Sequence, residues 1–279
     1  MASPPHEGGF LRSETGVRLL SALVLIAAAL GAAIAGGVAN ALFWLLVAGA
    51  ALYEWAAVTR LARAHAMRAI LIGTLVAVTA SLLLAPGAML LAIGLGLAGV
   101  VAILLLARSG RDRLWASIGL GAALVLALVP ALVREHPALG LPGLLWIFAV
   151  VWFTDIAAYF TGRAFRGPKL WPAVSPGKTW SGAIGGLLGG TLTATLVALV
   201  AAGLGWVPPL GWAGLVAIAI LASIVGQGGD LAESALKRRF AVKDSSRIIP
   251  GHGGVLDRID AFFAVCCLGA LALLTNAFG

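Results

Sequence analysis

Apolar runs long enough to cross a bilayer recur along the chain, from Val17 to the C-terminus. A helix crossing a hydrocarbon core of about 30 Å uses about 20 mostly apolar residues. Runs of that order begin near Val17, Val38, Ala69, Ala88, Leu114, Leu141, Thr179, Gly211 and Val255. In lipid, backbone polar groups must be satisfied internally, which leaves helices or closed strand barrels. Barrel strands alternate in polarity over about ten residues, and these runs do not alternate. The expected fold is all-α, a polytopic membrane protein with about nine transmembrane helices. Composition agrees: only 11% of residues are charged, against about 25% in a soluble domain.

The net charge of +8 would suggest nucleic acid in a soluble protein. Here the basic residues are topology markers, and no nucleic-acid partner is expected. Arg12 and Arg18 precede the first run. Arg60, Arg63 and Arg68 follow the second, and Arg108, Arg111 and Arg113 follow the fourth. Arg163, Arg166, Lys169 and Lys178 follow the sixth. Lys237, Arg238, Arg239, Lys243, Arg247 and Arg258 lie between the eighth and the start of the ninth. Of all the basic residues, Arg134 alone falls on the other side. This asymmetry predicts a cytoplasmic N-terminus and an outside C-terminus; the expected location is the cell (inner) membrane. The first run, Leu19 to about Gly37, exceeds the 7–15-residue core of a signal peptide and reads as a retained span. Residues 1–16 are polar and expected to fray. Cys266 and Cys267 are adjacent in the last run and read as small apolar filler.

The chain divides into an N-terminal transmembrane region, 1–140, with five helices, and a C-terminal region, 141–279, with four. The second region has charged cytoplasmic loops at 163–178 and 231–254. Chemistry is expected there. In the first region the acid well inside a run is Glu54, expected to pair with Arg60 at the interface. In the seventh run Gly182, Gly186 and Gly190 recur every four residues, a spacing that lets helix backbones approach closely.

Carboxylates are scarce, 11 in the whole chain, so each is informative. Asp230, Glu233, Ser234 and Lys237 share one face of a helix, as do Asp257 and Asp260. Carboxylates near lipid are costly and should face a cavity or partner. Oxygen ligands from two facing helices suit a hard divalent ion that also takes phosphate oxygens, which describes Mg²⁺ at a nucleotide site. Lys237, Arg238, Arg239, Lys243 and Arg247 suit phosphate charge. Gly251, Gly253 and Gly254 would let backbone N–H groups approach an anion at the following helix start. His252 between them suits a phosphate contact or a structural hydrogen bond. A second group comprises Asp155 and Tyr159, then Ser175, Lys178 and Thr179. Gly177-Lys178-Thr179 is not a P-loop, because Pro172 stands where the first glycine belongs and no strand is expected before it. Ser175, Lys178 and Thr179 remain phosphate or headgroup donors.

The stretch 234–260, SALKRRFAVKDSSRIIPGHGGVLDRID, resembles the signature of the phosphatidate cytidylyltransferase (CDP-diglyceride synthase) family. The match includes Ser234, Lys237-Arg238, Lys243-Asp244, Pro250, His252-Gly-Gly and Asp257-Arg258-x-Asp260. Gly226-Gln227-x-Gly229-Asp230-Leu231-x-Glu233 continues it upstream, and Asp155 to Thr179 resembles the family's other cytoplasmic stretch. The resemblance covers the C-terminal half; the first five runs share only hydropathy. Ala157 and Ser181 depart from the usual residues. The resemblance implies that CTP and phosphatidic acid give CDP-diacylglycerol and pyrophosphate at the bilayer surface, and it suggests a homodimer. On this reading Asp230 and Asp257 are the principal Mg²⁺ ligands. Asp260 and Glu233 support them or bind a second cation. Lys237, Arg238 and Lys243 hold the triphosphate, with Arg258 and His252 beside substrate. Ser175, Lys178 and Ser234 contact the lipid phosphate or the ion's surroundings, and Asp155 organises the site. Two rivals stand: a CTP enzyme with another lipid acceptor, and an ion-coupled transporter using Asp155, Asp230 and Asp257.

Overall fold

A computed structural model describes residues 14–84, 88–275 and 277. Most of the polar segment 1–16 lies outside the described residues. Among them the elements are α1 (Glu14–Ala35), α2 (Gly37–Val58), α3 (Ala64–Leu84), α4 (Met89–Leu106), α5 (Gly110–Glu135) and α6 (Gly140–Phe165). Then follow β1 (Lys169–Trp171), β2 (Ser175–Thr179), α7 (Trp180–Gly203), α8 (Gly211–Arg239) and α9 (Leu256–Leu274). The protein is an all-α, multi-pass membrane protein. Among the described residues seven helices are long and apolar enough to cross a membrane, and α4 adds a shorter apolar stretch, Leu90–Leu106. α9 is 19 residues long with Asp257, Arg258 and Asp260 at its start. Its apolar remainder is shorter than about 30 Å at 1.5 Å per residue, so a crossing by α9 would place those charges at headgroup level.

The helix ends sort into two sets. At one end Arg60 Nη2 donates to Phe240 O (3.2 Å), Arg111 Nη2 to Thr59 O (2.6 Å), and Ser21 Oγ meets His252 Nδ1 (2.7 Å). The basic loops therefore share one end, as their one-sided distribution predicts. At the other, Arg134 Nε donates to Ala33 O (2.6 Å), and Glu135 accepts from Gly37 N (2.8 Å). The exceptional arginine thus closes the C-terminal carbonyls of α1, and its neighbour closes the open N–H groups of α2.

α6 and α7 pack with almost no side-chain layer between them. A Cβ on Gly182, Gly186 or Gly190 would stand 2.8–2.9 Å from the carbonyl oxygens of Ala158, Thr154 and Val150. The glycine face expected to allow close packing is used within the chain. The aromatic centre joins three helices: Trp44 of α2 stacks on Phe262 of α9 at 4.6 Å, and Phe148 of α6 lies beside both.

Two stretches differ from the sequence expectation. Residues 163–178 are not a plain loop: α6 continues to Phe165, and β1 pairs antiparallel with β2. Nor does a loop begin at 231. The segment LAESALKRR is rich in strong helix formers, so α8 runs on to Arg239 and the connection to α9 is 240–255.

Candidate active site

α8 and α9 meet backbone to backbone near their polar ends. A Cβ on Gly229 would lie 2.7 Å from Asp260 O and 2.5 Å from Ala264 Cβ. This approach sets the acidic face of α8 against the first turns of α9. Lys237 Nζ bridges the two helices, 2.8 Å from Glu233 Oε2 and 3.0 Å from Asp257 Oδ1. All three side chains are largely buried, at 18%, 7% and 6% exposure. A buried charge of this kind persists only when paired and hydrogen-bonded.

Asp257 is held on all sides. Its Oδ1 accepts from Lys237 and from Ser245 N (3.2 Å); its Oδ2 accepts from Ser245 N (3.0 Å) and Gly254 N (2.9 Å). Gly253 has φ +83°, and a Cβ there would stand 2.8 Å from Asp257 Oδ2. Of the three glycines, Gly254 brings its backbone N–H to an anion, and that anion is the protein's own Asp257 carboxylate. The N–H groups of Val255 and Leu256 at the α9 start likewise donate to a carboxylate of the chain.

The second cluster lies about two turns back along α8 and across to α6. Lys178, on β2, pairs with Asp230, and Ser234 Oγ is 3.5 Å from Asp230 Oδ1. Asp155 lies within the electrostatic reach of Asp230, Lys178 and Arg258, and Asp260 within that of Asp230, Asp155 and Lys178. Three acids thus share Lys178, and Arg258 adds a second positive charge near Asp155. The ribbon places that lysine: Thr179 ends β2, caps α7 by accepting from Gly182 N (3.1 Å), and meets Ser181 Oγ at 3.0 Å. The Thr179 hydroxyl is therefore committed to the cap, a different use from the expected donor to phosphate.

Arg238, Lys243 and Arg247 are exposed at the same end and make no side-chain hydrogen bond or ion pair among the described residues. Ser175, at the start of β2, is half-buried. Arg258 donates twice to His252 O, at 3.1 and 3.0 Å, so it braces the loop. His252 takes the structural option, its ring against Ser21 of α1. Burial, then the Arg258 guanidinium, lowers the His252 pKa below its ordinary value.

Sequence reasoning missed Glu54. It does not pair with Arg60, whose guanidinium donates to Phe240 O instead. Glu54 is 1% exposed. It accepts from Ser245 Oγ (3.0 Å), Ser246 Oγ (2.5 Å), Val255 N (3.0 Å) and Leu256 N (2.8 Å). Its partners are about 190 to 200 positions away, beyond any local pattern. A buried acid in an apolar run was the available signal.

Among the described residues, no three His, Cys, Asp or Glu side chains stand together as a ready metal site. The donor chemistry nevertheless fits a hard divalent cation. The acids outnumber the lysines that face them, and Glu233 Oε1 is buried with no hydrogen-bond partner.

The model of the cytidylyltransferase family matches residues 16–275. Proteins named phosphatidate cytidylyltransferase from Brucella suis and Brucella abortus are each 44% identical over 257 residues, 92% of this chain and 92% of theirs. The Bacillus subtilis protein of that name is 44% identical over 133 residues, 48% of either chain. The likeness therefore extends beyond the C-terminal half, through helices whose hydropathy alone had suggested it. From Gly16 in the first helix to Thr275 after the last, the chain belongs to the cytidylyltransferase family.

Proposed function

We infer that this chain is an integral-membrane phosphatidate cytidylyltransferase, making CDP-diacylglycerol and pyrophosphate from CTP and phosphatidic acid for phospholipid synthesis. One observation carries the reading: acids and lysines of β2, α6, α8 and α9 converge at the end of the bundle that also bears basic side chains unpaired among the described residues. That end is the cytoplasmic face of the inner membrane on this reading, since basic loops stay on the cytoplasmic side. The lipid phosphate then remains at headgroup level while its tails lie along the helices. A homodimer remains part of the proposal on family grounds; the glycine face of α7 is already covered by α6.

In the reaction, a phosphate oxygen of the lipid attacks the α-phosphorus of CTP. The bond from that phosphorus to the bridging oxygen breaks, and pyrophosphate leaves with the electron pair. The nucleophile is already ionised, so no protein base is required. The chain's task is to bring two anions together in line and offset their charge. Lys237 is placed to turn from Glu233 and Asp257 towards the triphosphate. Arg238 and Lys243 hold the leaving phosphates. Lys178 and Ser175, on the ribbon, meet the lipid phosphate, with Ser234 beside Asp230.

Asp230, Asp257 and Asp260, with Glu233, would hold Mg²⁺, and Asp155 would add charge for it or for a second cation. Such an ion, when bound, would neutralise phosphoryl oxygens and polarise the phosphorus. The Lys237 ammonium already stands between two of these acids, which marks the place as one that collects positive charge.

The purified chain in detergent, given CTP and phosphatidate with or without chelator, tests this reading. Formation of CDP-diacylglycerol that stops on chelation is expected. Indifference to chelator would remove the metal from the account. Preference for a polyprenyl or ether-lipid phosphate over phosphatidate would replace the acceptor.

A further inference from the structure

We propose that Glu54, on α2 of the N-terminal region, is a positioning residue for the nucleotide side of the site. This rests on the cytidylyltransferase reading above. The carboxylate sits at the start of α9, whose first N–H groups have no partner within the helix. Val255, the residue at the cap position, supplies no side-chain cap. Glu54 takes that role from another helix, accepting from Val255 N and Leu256 N. A negative charge is stabilising at this helix end.

Glu54 also fixes the loop before α9. Each carboxylate oxygen takes one serine hydroxyl and one backbone N–H: Ser245 and Leu256 on Oε2, Ser246 and Val255 on Oε1. Ser245 is the joint between the two acids. Its hydroxyl donates to Glu54 while its N–H donates to both oxygens of Asp257. Gly254 does the same in another way. Its N–H donates to Asp257, and a Cβ there would stand 2.6 Å from Glu54 Oε2 and closer still to Ser245 Oγ. Asp257 in turn holds Lys237. The chain of contacts therefore runs from Glu54 through Ser245 and Gly254 to Asp257 and Lys237. It gives the N-terminal region a direct part in setting the site.

Each oxygen of Glu54 accepts from a backbone N–H, which can only donate, so an amide cannot replace the carboxylate. Glu54→Gln keeps the shape but points an NH₂ at one of those backbone N–H groups. The loop then loses its fixed form, and Lys237 and Asp257 lose their register with the triphosphate. The lipid phosphate, met from the β2 side, is unaffected.

The test compares wild type and Glu54→Gln as full-length chains in detergent, by steady-state kinetics, by CTP-binding calorimetry and by hydrogen exchange. The expected result is a rise in KM for CTP of about tenfold, an unchanged KM for phosphatidate, and faster exchange confined to the amides of 244–257. A merely structural role would lower the active fraction and leave both KM values alone. Unchanged KM for CTP, an equal rise for both substrates, or unchanged exchange overturns the proposal. Should Glu54→Gln fail to fold, Ser245→Ala removes one of the four bonds and leaves the acid in place. It should shift KM for CTP the same way by a smaller factor, and no shift overturns the proposal. If wild type transfers no cytidylyl group, the functional reading fails. Calorimetry and exchange then still decide the role of Glu54: weaker CTP binding with faster loop exchange supports it, and neither change refutes it.

Discussion

The Lys237 ammonium and the Asp257 carboxylate, 3.0 Å apart, form the ion pair that ties α8 to α9. The same ammonium is 2.8 Å from Glu233. Removing it leaves two largely buried acids facing each other. Lys237→Met should therefore cost about 3–5 kcal/mol of stability. Mg²⁺ should raise the melting temperature of this variant more than that of wild type, because an ion can take the place the ammonium vacates. Equal responses to Mg²⁺ would show that no cation enters there.

Asp230 and Asp260 belong to the acid group that Lys178 only partly offsets. Asp230→Asn and Asp260→Asn should each lower kcat by about 10²–10³, with helical content unchanged by circular dichroism. The check is the initial rate of CDP-diacylglycerol formation at saturating CTP. A rate near wild type for either variant would take that acid out of the site.

Arg238 and Lys243 are exposed and unpaired among the described residues, so their loss should not disturb the fold. Arg238→Ala should raise KM for CTP by about tenfold and leave the melting temperature where it was. Normal CTP kinetics would mean that the basic end serves topology alone.

Glycines in the helices serve different ends, and a matched pair separates them. A Cβ on Gly186 would press on Thr154 O at 2.8 Å and Ala158 Cβ at 3.0 Å, whereas one on Gly73 meets nothing within 4 Å. Gly186→Ala should cost about 1–3 kcal/mol through overpacking. Gly73→Ala should gain about 0.5–1 kcal/mol through helix propensity. Thermal melts in one detergent measure both, and a shared sign would contradict the packing account.

The His252 ring lies against Ser21, near Arg258 and Arg18, and its pKa is lowered from the ordinary 6.5. The folded chain therefore resists the proton more than the unfolded chain does. Stability owed to this group is full above pH 6.5 and is lost as pH falls below it. Wild type should lose more melting temperature than His252→Gln between about pH 7 and 5.5. Parallel curves would show that the ring is not linked to folding in this range.

The helices were legible because lipid imposes length and apolarity on every span, and the runs beginning near Val38 and Leu141 start within a residue of α2 and α6. The acids of the site were legible because each is costly near lipid and Asp230, Glu233 and Lys237 repeat at helical spacing. What stayed hidden depends on long-range pairing. Glu54 reads locally as a neighbour of Arg60, yet its partners lie near residue 250. The β1–β2 ribbon escaped notice because Lys169–Trp171 and Ser175–Thr179 are short, and the second contains Pro176 and Gly177, which local propensity assigns to loops.

The central claim is that the acids and lysines gathered at one end of this bundle transfer a cytidylyl group to a lipid phosphate. CTP labelled at the α-phosphorus, given to the purified chain with phosphatidate and Mg²⁺, tests it most directly. The account predicts that label enters the organic-extractable lipid in equal amount to pyrophosphate released, and that Asp230→Asn slows both by about 10²–10³. Label remaining wholly water-soluble with the folded wild-type chain, or lipid labelling undiminished in Asp230→Asn, would contradict it.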